Sequence, residues 1–317
     1  MEQTKKKPLI ILTGPTAVGK TELSIELAKS IGGEILSADS MQVYRGMDIG
    51  TAKITKDEMQ GVPHYMIDEL DPDEAFNVYI FQEKIRHYME DIYSRGKIPI
   101  LTGGTGFYIQ AILYDIAFTQ TPSDPSYRLS LQKRAEREGV QSVYEELKKV
   151  DPEYAATLHA NNVKRVIRAL EYYHFTGEKF SVHNERESQR FSPYNFAYFV
   201  LTMNRKALYD RIDTRIDKMM EAGLYEEVTS LLNQGLDPSL VSMQGLGYKE
   251  LVPAIRGEIS LEDAVYTLKR DTRHFAKRQL TWFRREKDVC YLDKDIYTDT
   301  KQLLTVIKKE LKEKDIL

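Results

Sequence analysis

The sequence predicts an α/β fold: a parallel sheet core, interrupted by a mostly helical insertion and finished by helices. Three observations predict it. Strand-like runs at Leu9–Leu12, Glu34–Ser37 and Ile98–Leu101 alternate with stretches of helical period, as in a sheet covered by helices. That strand signature vanishes between about residues 116 and 194, where the text is charged, Tyr-rich and helical. It returns at Asn195–Met203, so the insertion separates two parts of one core (1–115 and 195–317).

Leu9–Leu12 is continuously apolar and ends at a Gly-Pro turn, which suits a strand buried on both faces. In Lys20–Ile31, Leu23, Leu27 and Ile31 recur every four residues, and Gly32-Gly33 stops the helix. Phe81–Arg95 is a second helix, closed by Gly96 before the strand Ile98–Leu101. Thr119–Pro125 is polar, carries two prolines and leads into the insertion. Beyond Met203, an apolar stripe from Leu208 to Leu231 is closed by Gly235. Leu261–Lys287 is a long helix with Leu261, Val265, Leu268, Phe275 and Phe283 on its apolar face. The tail after Thr300 is a charged amphipathic helix.

Bulk properties restrict the function. The 317 residues are 42% hydrophobic and 29% charged, with a net charge of −3. A sizeable core is affordable at this length, and a polyanion partner must be held by local patches. The single cysteine, Cys290, excludes an intrachain disulfide and a multi-cysteine zinc site, which fits a reducing compartment. Pro8–Leu12 is too short for a signal peptide, and no stretch approaches the length of a membrane span. The expected location is the cytoplasm.

Gly14-Pro15-Thr16-Ala17-Val18-Gly19-Lys20-Thr21 matches G-x-x-x-x-G-K-[ST] between a buried strand and a helix. Glycines let successive backbone N–H groups curl around one anion, and the helix adds its positive end. Lys20 supplies a point charge, and the Thr21 hydroxyl suits Mg2+. The core is therefore expected to be P-loop NTPase-like. Equipment for NTP hydrolysis is poor, however. There is no guanine-reading Asn-Lys-x-Asp, and Ile98–Leu101 runs into Thr102-Gly103-Gly104-Thr105-Gly106 rather than an Mg2+-binding Asp. Ile67-Asp68 is the nearest substitute.

Asp39 follows the second strand and Thr105 the third, so both fall at the carboxyl edge of the sheet, where such folds bind ligands. Lys20 should converge with them. Asp39 is alternatively a helix N-cap.

Here the residues resemble a family. The P-loop, Ser37-Ala38-Asp39-Ser40-Met41-Gln42-Val43-Tyr44, Asp48–Lys53, Gly103–Tyr108, Arg165–Glu171, Gly245–Glu250 and Arg278–Arg284 look like the tRNA dimethylallyltransferases, in order and over nearly the whole chain. That resemblance implies transfer of a dimethylallyl group from its diphosphate to the exocyclic amine of the adenosine 3′-adjacent to the anticodon. It implies Asp39 as base, Thr105 as a positioner of the amine, and the P-loop, Lys20, Arg205 and Arg211 on the diphosphate with Mg2+ at Thr21. Preorganised donors of this kind stabilise charge on a leaving group.

The other implied partner is the tRNA anticodon stem-loop, with no obligate protein partner. A base must leave its stack to react, and Ser40, Met41 and Gln42 lie beside Asp39 to meet it. Arg128, Lys164, Arg165, Val166, Ile167 and Arg168 belong to the insertion that embraces the RNA. Gly247 and Tyr248 are further contacts. Between residues 269 and 285 seven basic residues stand against one acid, Asp271, and Arg270, Arg273, Lys277 and Arg284 share a helical face. That imbalance favours phosphate contact over a merely solvated face. Two rivals keep a P-loop: an isopentenyltransferase using free AMP or ADP, and a small-molecule kinase. A non-enzymatic RNA-binding module leaves Asp39 and Thr105 without a task.

Overall fold

The structure, a computed structural model, describes residues 6–118, 125–188 and 191–317. The expected polar stretch Thr119–Pro125 thus lies, up to residue 124, outside the described residues. The chain divides into two compact units. Residues up to Asp115 join Pro193–Leu317 in the first, and Ile116–Ser192 form the second.

The first unit is built on a six-stranded sheet. Its early elements are β1 (Pro8–Thr13), α1 (Lys20–Ile31), β2 (Glu34–Ser37), β3 (His64–Tyr65), α2 (Val78–Ser94), β4 (Pro99–Gly103) and α3 (Gly106–Leu113). The order across the sheet is β3-β2-β4-β1, and every pairing is parallel. Leu9–Leu12 has no exposed surface, as a strand with neighbours on both sides and helices on both faces requires. Gly32, in the left-handed region at φ 67°, ends α1 where the sequence placed its stop. The second helix starts three residues before the expected Phe81. There the Asn77 side chain accepts from the N–H groups of Tyr79 and Ile80, which sets its first turn.

The second unit contains α4 (Pro125–Glu138), α5 (Val140–Val150), α6 (Pro152–Ala156), α7 (Val163–Thr176) and α8 (Phe180–Ser188). Leu131, Val143, Leu147, Val166 and Leu170 form its core. Asp151 is buried, but its carboxylate accepts from the N–H groups of Tyr154 and Ser181 at 3.1 and 2.8 Å. A buried charge so bonded ties α6 to the start of α8.

The chain returns to the sheet as β5 (Asn195–Thr202), which pairs with β1 from Pro8↔Asn195 to Thr13↔Val200. Then follow α9 (Arg205–Glu221), α10 (Leu224–Asn233), α11 (Tyr248–Ile255), α12 (Leu261–Phe283), β6 (Val289–Asp293) and α13 (Thr300–Glu313). The stripe from Leu208 to Leu231 is two helices, divided at Gly223, whose φ of 99° is left-handed. The sixth strand, unforeseen in the sequence, extends the sheet beyond β5. All six strands are parallel, with the P-loop joining central β1 to α1, as in P-loop NTPase-like folds. Among the described residues no helix is long and apolar enough to cross a membrane.

Candidate active site

The carboxyl ends of β1, β2 and β4 carry the candidate residues to one edge. The third of these strands reaches its neighbour so closely that a Cβ on Gly103 would sit inside the Ala38 backbone. The N–H of Thr105 donates to Ala38 O (3.2 Å), so Asp39 and Thr105 are set by adjoining backbone. Both line one cavity of about 330 Å3 with Thr16, Ala17 and Arg215.

No helix begins at Asp39. Its Oδ1 accepts from Met41 N–H (2.9 Å) in a tight turn, which leaves Oδ2 without a partner among the described residues. Thr105 precedes α3, but its side chain does not cap that helix. A carboxylate oxygen and a hydroxyl thus face one enclosed space, and neither is used up by the fold.

The P-loop curls through left-handed backbone at Ala17 (φ 63°) and Gly19 (φ 99°). Strain at a non-glycine residue persists only where its surroundings enforce it. Arg211 contributes, its Nε donating to Ala17 O (2.9 Å). Lys20 lies along the loop and donates to Gly14 O and Pro15 O at 3.0 and 2.9 Å. Burial, aided by Arg215 and opposed by Asp39, brings its ammonium down to about 8. Burial likewise lowers Arg215, against the pull of Asp39 and with the push of Arg211.

Two residues outside the predicted set complete this centre. Arg215 lines both the Asp39 cavity and a second one of about 560 Å3 with Gly19, Lys20, Thr21 and Arg211. Gln279 is buried on α12, where its Oε1 accepts from Thr16 N–H (2.9 Å) and its Nε2 donates to Gly104 O (3.0 Å). It fastens the P-loop to the glycine-rich turn. The signal for Arg215 was its spacing of four from Arg211, one helical turn along the same face.

Arg205 is placed elsewhere. It lines a separate cavity of about 210 Å3 with Thr202, Leu280, Phe283, Arg284 and Tyr291, which no P-loop residue touches. Six residues rotate a helix by roughly 240°, so Arg205 and Arg211 cannot share a face.

Several expected RNA contacts are corrected by burial or pairing. Tyr248 has no exposed surface, and its hydroxyl donates to Glu227 Oε1 (2.7 Å). Glu227 also accepts from the N–H groups of Asp48, Ile49 and Gly50 at 2.9, 2.7 and 3.1 Å. The tyrosine and the carboxylate therefore hold the segment Asp48–Gly50 in place, of which Gly50 lines the cavity. Gln42 accepts from Ser37 Oγ (3.2 Å) and donates to Ala52 O (3.2 Å), so both ends of its amide are engaged. Ser40, Met41 and Gly247 do line the Asp39 cavity.

In the second unit Val166 and Ile167 are core residues at 0% and 4% exposure. Arg128 donates twice to the buried carboxylate of Glu171, at 2.8 and 2.7 Å. Lys164, Arg165 and Arg168 project from the outer face of α7, exposed and without ion pairs among the described residues. On α12, Arg273 is bound to Asp213 (2.6 Å), Lys269 to Asp217 (2.5 Å) and Arg270 to Asp271 (2.8 Å). Acids of α9 thus offset two of the seven basic residues, and Asp271 of α12 itself a third. Lys277 and Arg278 stay exposed, and Arg278 reaches the Asp39 cavity. Asp68 bonds Lys53 (2.5 Å) and lines none of the P-loop cavities.

These features define a P-loop protein with a carboxylate and a hydroxyl opposite the anion cradle. Comparison narrows the class. The family model described as "IPP transferase" matches residues 42–286. The chain is 59% identical over 311 residues to the tRNA dimethylallyltransferase of Lachnoclostridium phytofermentans, covering 98% of this chain and 99% of that one. Its counterpart of the same name in Bacillus cytotoxicus is 50% identical, with 98% of each covered. Among solved structures, the full-length tRNA isopentenylpyrophosphate transferase of Bacillus halodurans aligns with a TM-score of 0.74 at 44% identity, over 98% of both chains. A eukaryotic dimethylallyltransferase acting on tRNA aligns with a TM-score of 0.78 at 31% identity, over 90% of this chain and 74% of that one. The chain belongs to the IPP transferase family.

Proposed function

We infer that the protein transfers a dimethylallyl group from dimethylallyl diphosphate to the exocyclic amine of the adenosine 3′-adjacent to the anticodon of tRNA, releasing pyrophosphate. The observation that carries this reading is the pair of adjoining cavities. One holds Asp39 and Thr105, the other holds the P-loop cations, and Ala17 and Arg215 line both. A diphosphate ester whose phosphates lie on the P-loop presents its carbon to Asp39.

The amine nitrogen attacks the first carbon of the dimethylallyl group. The bond from that carbon to the bridging oxygen breaks, and its electron pair leaves with pyrophosphate. The amine proton passes to Asp39 Oδ2, while Thr105 Oγ1 orients the nitrogen. A positioned base of this kind raises the rate by roughly 10²–10⁴. P-loop N–H groups, Lys20, Arg211 and Arg215 stabilise the charge that develops on pyrophosphate. Ile212, Ile216, Leu268 and Phe275 give the reacting carbon an apolar wall, which excludes water as a competing nucleophile.

Mg2+ fits as an ion that arrives with the diphosphate. Among the described residues no three His, Cys, Asp or Glu side chains gather to hold a metal, and Thr21 lines the P-loop cavity. An ion that keeps phosphate and water ligands needs little more from the protein. When bound it neutralises charge on the leaving group.

The exposed Lys164, Arg165 and Arg168 of the second unit meet the RNA backbone. The single Cys290 suits the reducing cytoplasm, and the reaction requires no obligate protein partner. Labelled dimethylallyl diphosphate and labelled ATP, each offered with tRNA and with free AMP, test the reading. Label should move only from dimethylallyl diphosphate and only to tRNA. Transfer to AMP, or phosphate transfer from ATP, would replace it with one of the rivals.

A further inference from the structure

Four cations surround the P-loop: Lys20, Arg211, Arg215 and Lys294. Among the described residues none has a carboxylate within ion-pair distance. The same helix shows that this is selective. On α9, Asp213 and Asp217 are spent on Arg273 and Lys269 of α12, while Arg211 and Arg215 face the loop unpaired. Like charges gathered with no acid close enough to pair are costly in a partly buried setting, although Asp39, Asp210 and Glu22 lie nearby. Burial is the first cause that lowers Lys20, Arg215 and Lys294, and a neighbouring cation adds to it in each, Arg215 on Lys20 and Arg211 on Arg215 and Lys294, against the pull of Asp39 or Glu22. A polyanion relieves that repulsion.

Lys294, like Arg215, is a member that the motifs do not account for. It follows β6, the last strand, and its backbone N–H donates to Thr202 O (2.9 Å). Its ammonium reaches back to the P-loop, where its one bond is a long one to Val18 O (3.4 Å). It stands 3.0 Å from where a Cβ on Gly19 would lie, and Arg211 Nη2 stands 3.8 Å from the same point. The nearby acid Glu22 accepts from Thr300 Oγ1 (3.2 Å) rather than from Lys294.

Position along the two cavities assigns a role. The carbon end of the donor must face Asp39, so its first phosphate lies where the cavities join, at Ala17 and Arg215. The second phosphate then falls among Gly19, Lys20, Thr21 and Arg211, and Lys294 approaches this site at Gly19 without lining the cavity itself. A lysine has a long stem with freely turning donors, and only a weak carbonyl contact holds this one.

We propose that Lys294 is a specificity-determining residue that reads the terminal phosphate of the donor and so selects diphosphates over monophosphates. This rests on the transferase reading for the orientation of the donor. The test compares inorganic pyrophosphate with inorganic phosphate, both with Mg2+, by calorimetry on the full chain and its Lys294→Met and Lys294→Arg variants. Lys294→Met should weaken pyrophosphate roughly tenfold, the worth of one charge-assisted bond, and leave orthophosphate unchanged. Lys294→Arg should recover most of the loss. In turnover, Lys294→Met should raise KM for dimethylallyl diphosphate with KM for tRNA unmoved. Equal weakening of both anions would make Lys294 a structural support of the loop and overturn the proposal, as would no change in either. The anion ratio needs no turnover. A wild-type protein that failed to transfer the prenyl group would count against the transferase reading alone, and an anion ratio unchanged in Lys294→Met against Lys294 alone.

Discussion

At the scale of single residues, the chemistry rests on groups that the fold leaves unsatisfied. Asp39 spends one oxygen on Met41 and keeps the other. Asp39→Asn should keep the turn, since an amide oxygen accepts the same N–H, but cannot take a proton. Single-turnover transfer should slow by roughly 10²–10⁴ with tRNA affinity preserved; near-normal rates would remove Asp39 from the base role. Lys20 carries a pH signature. Its ammonium is lowered from the ordinary lysine value to about 8, first by burial and then by Arg215. The charged form is the one that binds an anion, so pyrophosphate affinity should fall as pH rises through about 8. Binding near that pH should take up protons, because the anion favours the charged lysine. Calorimetry in buffers of different ionisation enthalpy measures the uptake, and a value of zero would show that Lys20 does not meet the anion.

The same scale shows what a sequence can disclose. Asp39, Thr105 and Lys20 were legible because each directly follows a strand or loop whose pattern fixes its edge of the sheet. Gln279 was not, because its contacts join segments far apart in the chain, Thr16 and Gly104, and no local period records such a pairing; Arg215 could be reached only through its spacing of four from Arg211. Arg205 was assigned to the diphosphate by resemblance, and its phase on α9 sends it to another cavity.

At the scale of elements, the β2–β4 contact sets the geometry. Gly103→Ala would drive a methyl group into the backbone of Ala38, which has no side chain that can swing aside. The strand ends must part, and Asp39 with Thr105. The expected result is a fall in kcat larger than any rise in KM for dimethylallyl diphosphate, since the P-loop hangs from β1. Comparable loss in both parameters would mean that the whole edge had moved. Strands β1, β2, β4 and β5 could be read from apolar runs. Strand β3 has only two residues, too few for a pattern. Strand β6 is a half-exposed edge with a single buried residue, Leu292, so it never shows the unbroken apolar run of its neighbours. The pairing of Arg273 on the basic face of α12 was hidden for a related reason: its counter-charge Asp213 lies on a different helix.

At the scale of the whole molecule, an acidic protein must hold a polyanion through patches. The second unit separates two kinds of basic residue. Replacing Lys164, Arg165 and Arg168 together by alanine should make the salt dependence of tRNA binding shallower by roughly two to three in log–log slope. Arg128→Ala should leave that slope alone and destabilise the unit by on the order of 2 kcal/mol, because it strands the buried Glu171 carboxylate. Thermal melts beside binding titrations distinguish the two, and the opposite assignment of effects would put the RNA on the Arg128 side.

The central claim, that the P-loop holds a departing diphosphate while its carbon chain moves to RNA, is most directly tested by mass spectrometry of tRNA. Unmodified tRNA is incubated with the protein, dimethylallyl diphosphate and Mg2+, then digested to nucleosides and to anticodon-loop fragments. One adenosine per reactive tRNA, 3′-adjacent to the anticodon, should become heavier by a dimethylallyl group in place of one hydrogen, with pyrophosphate released in equal amount. Unchanged adenosine together with orthophosphate release would contradict the claim.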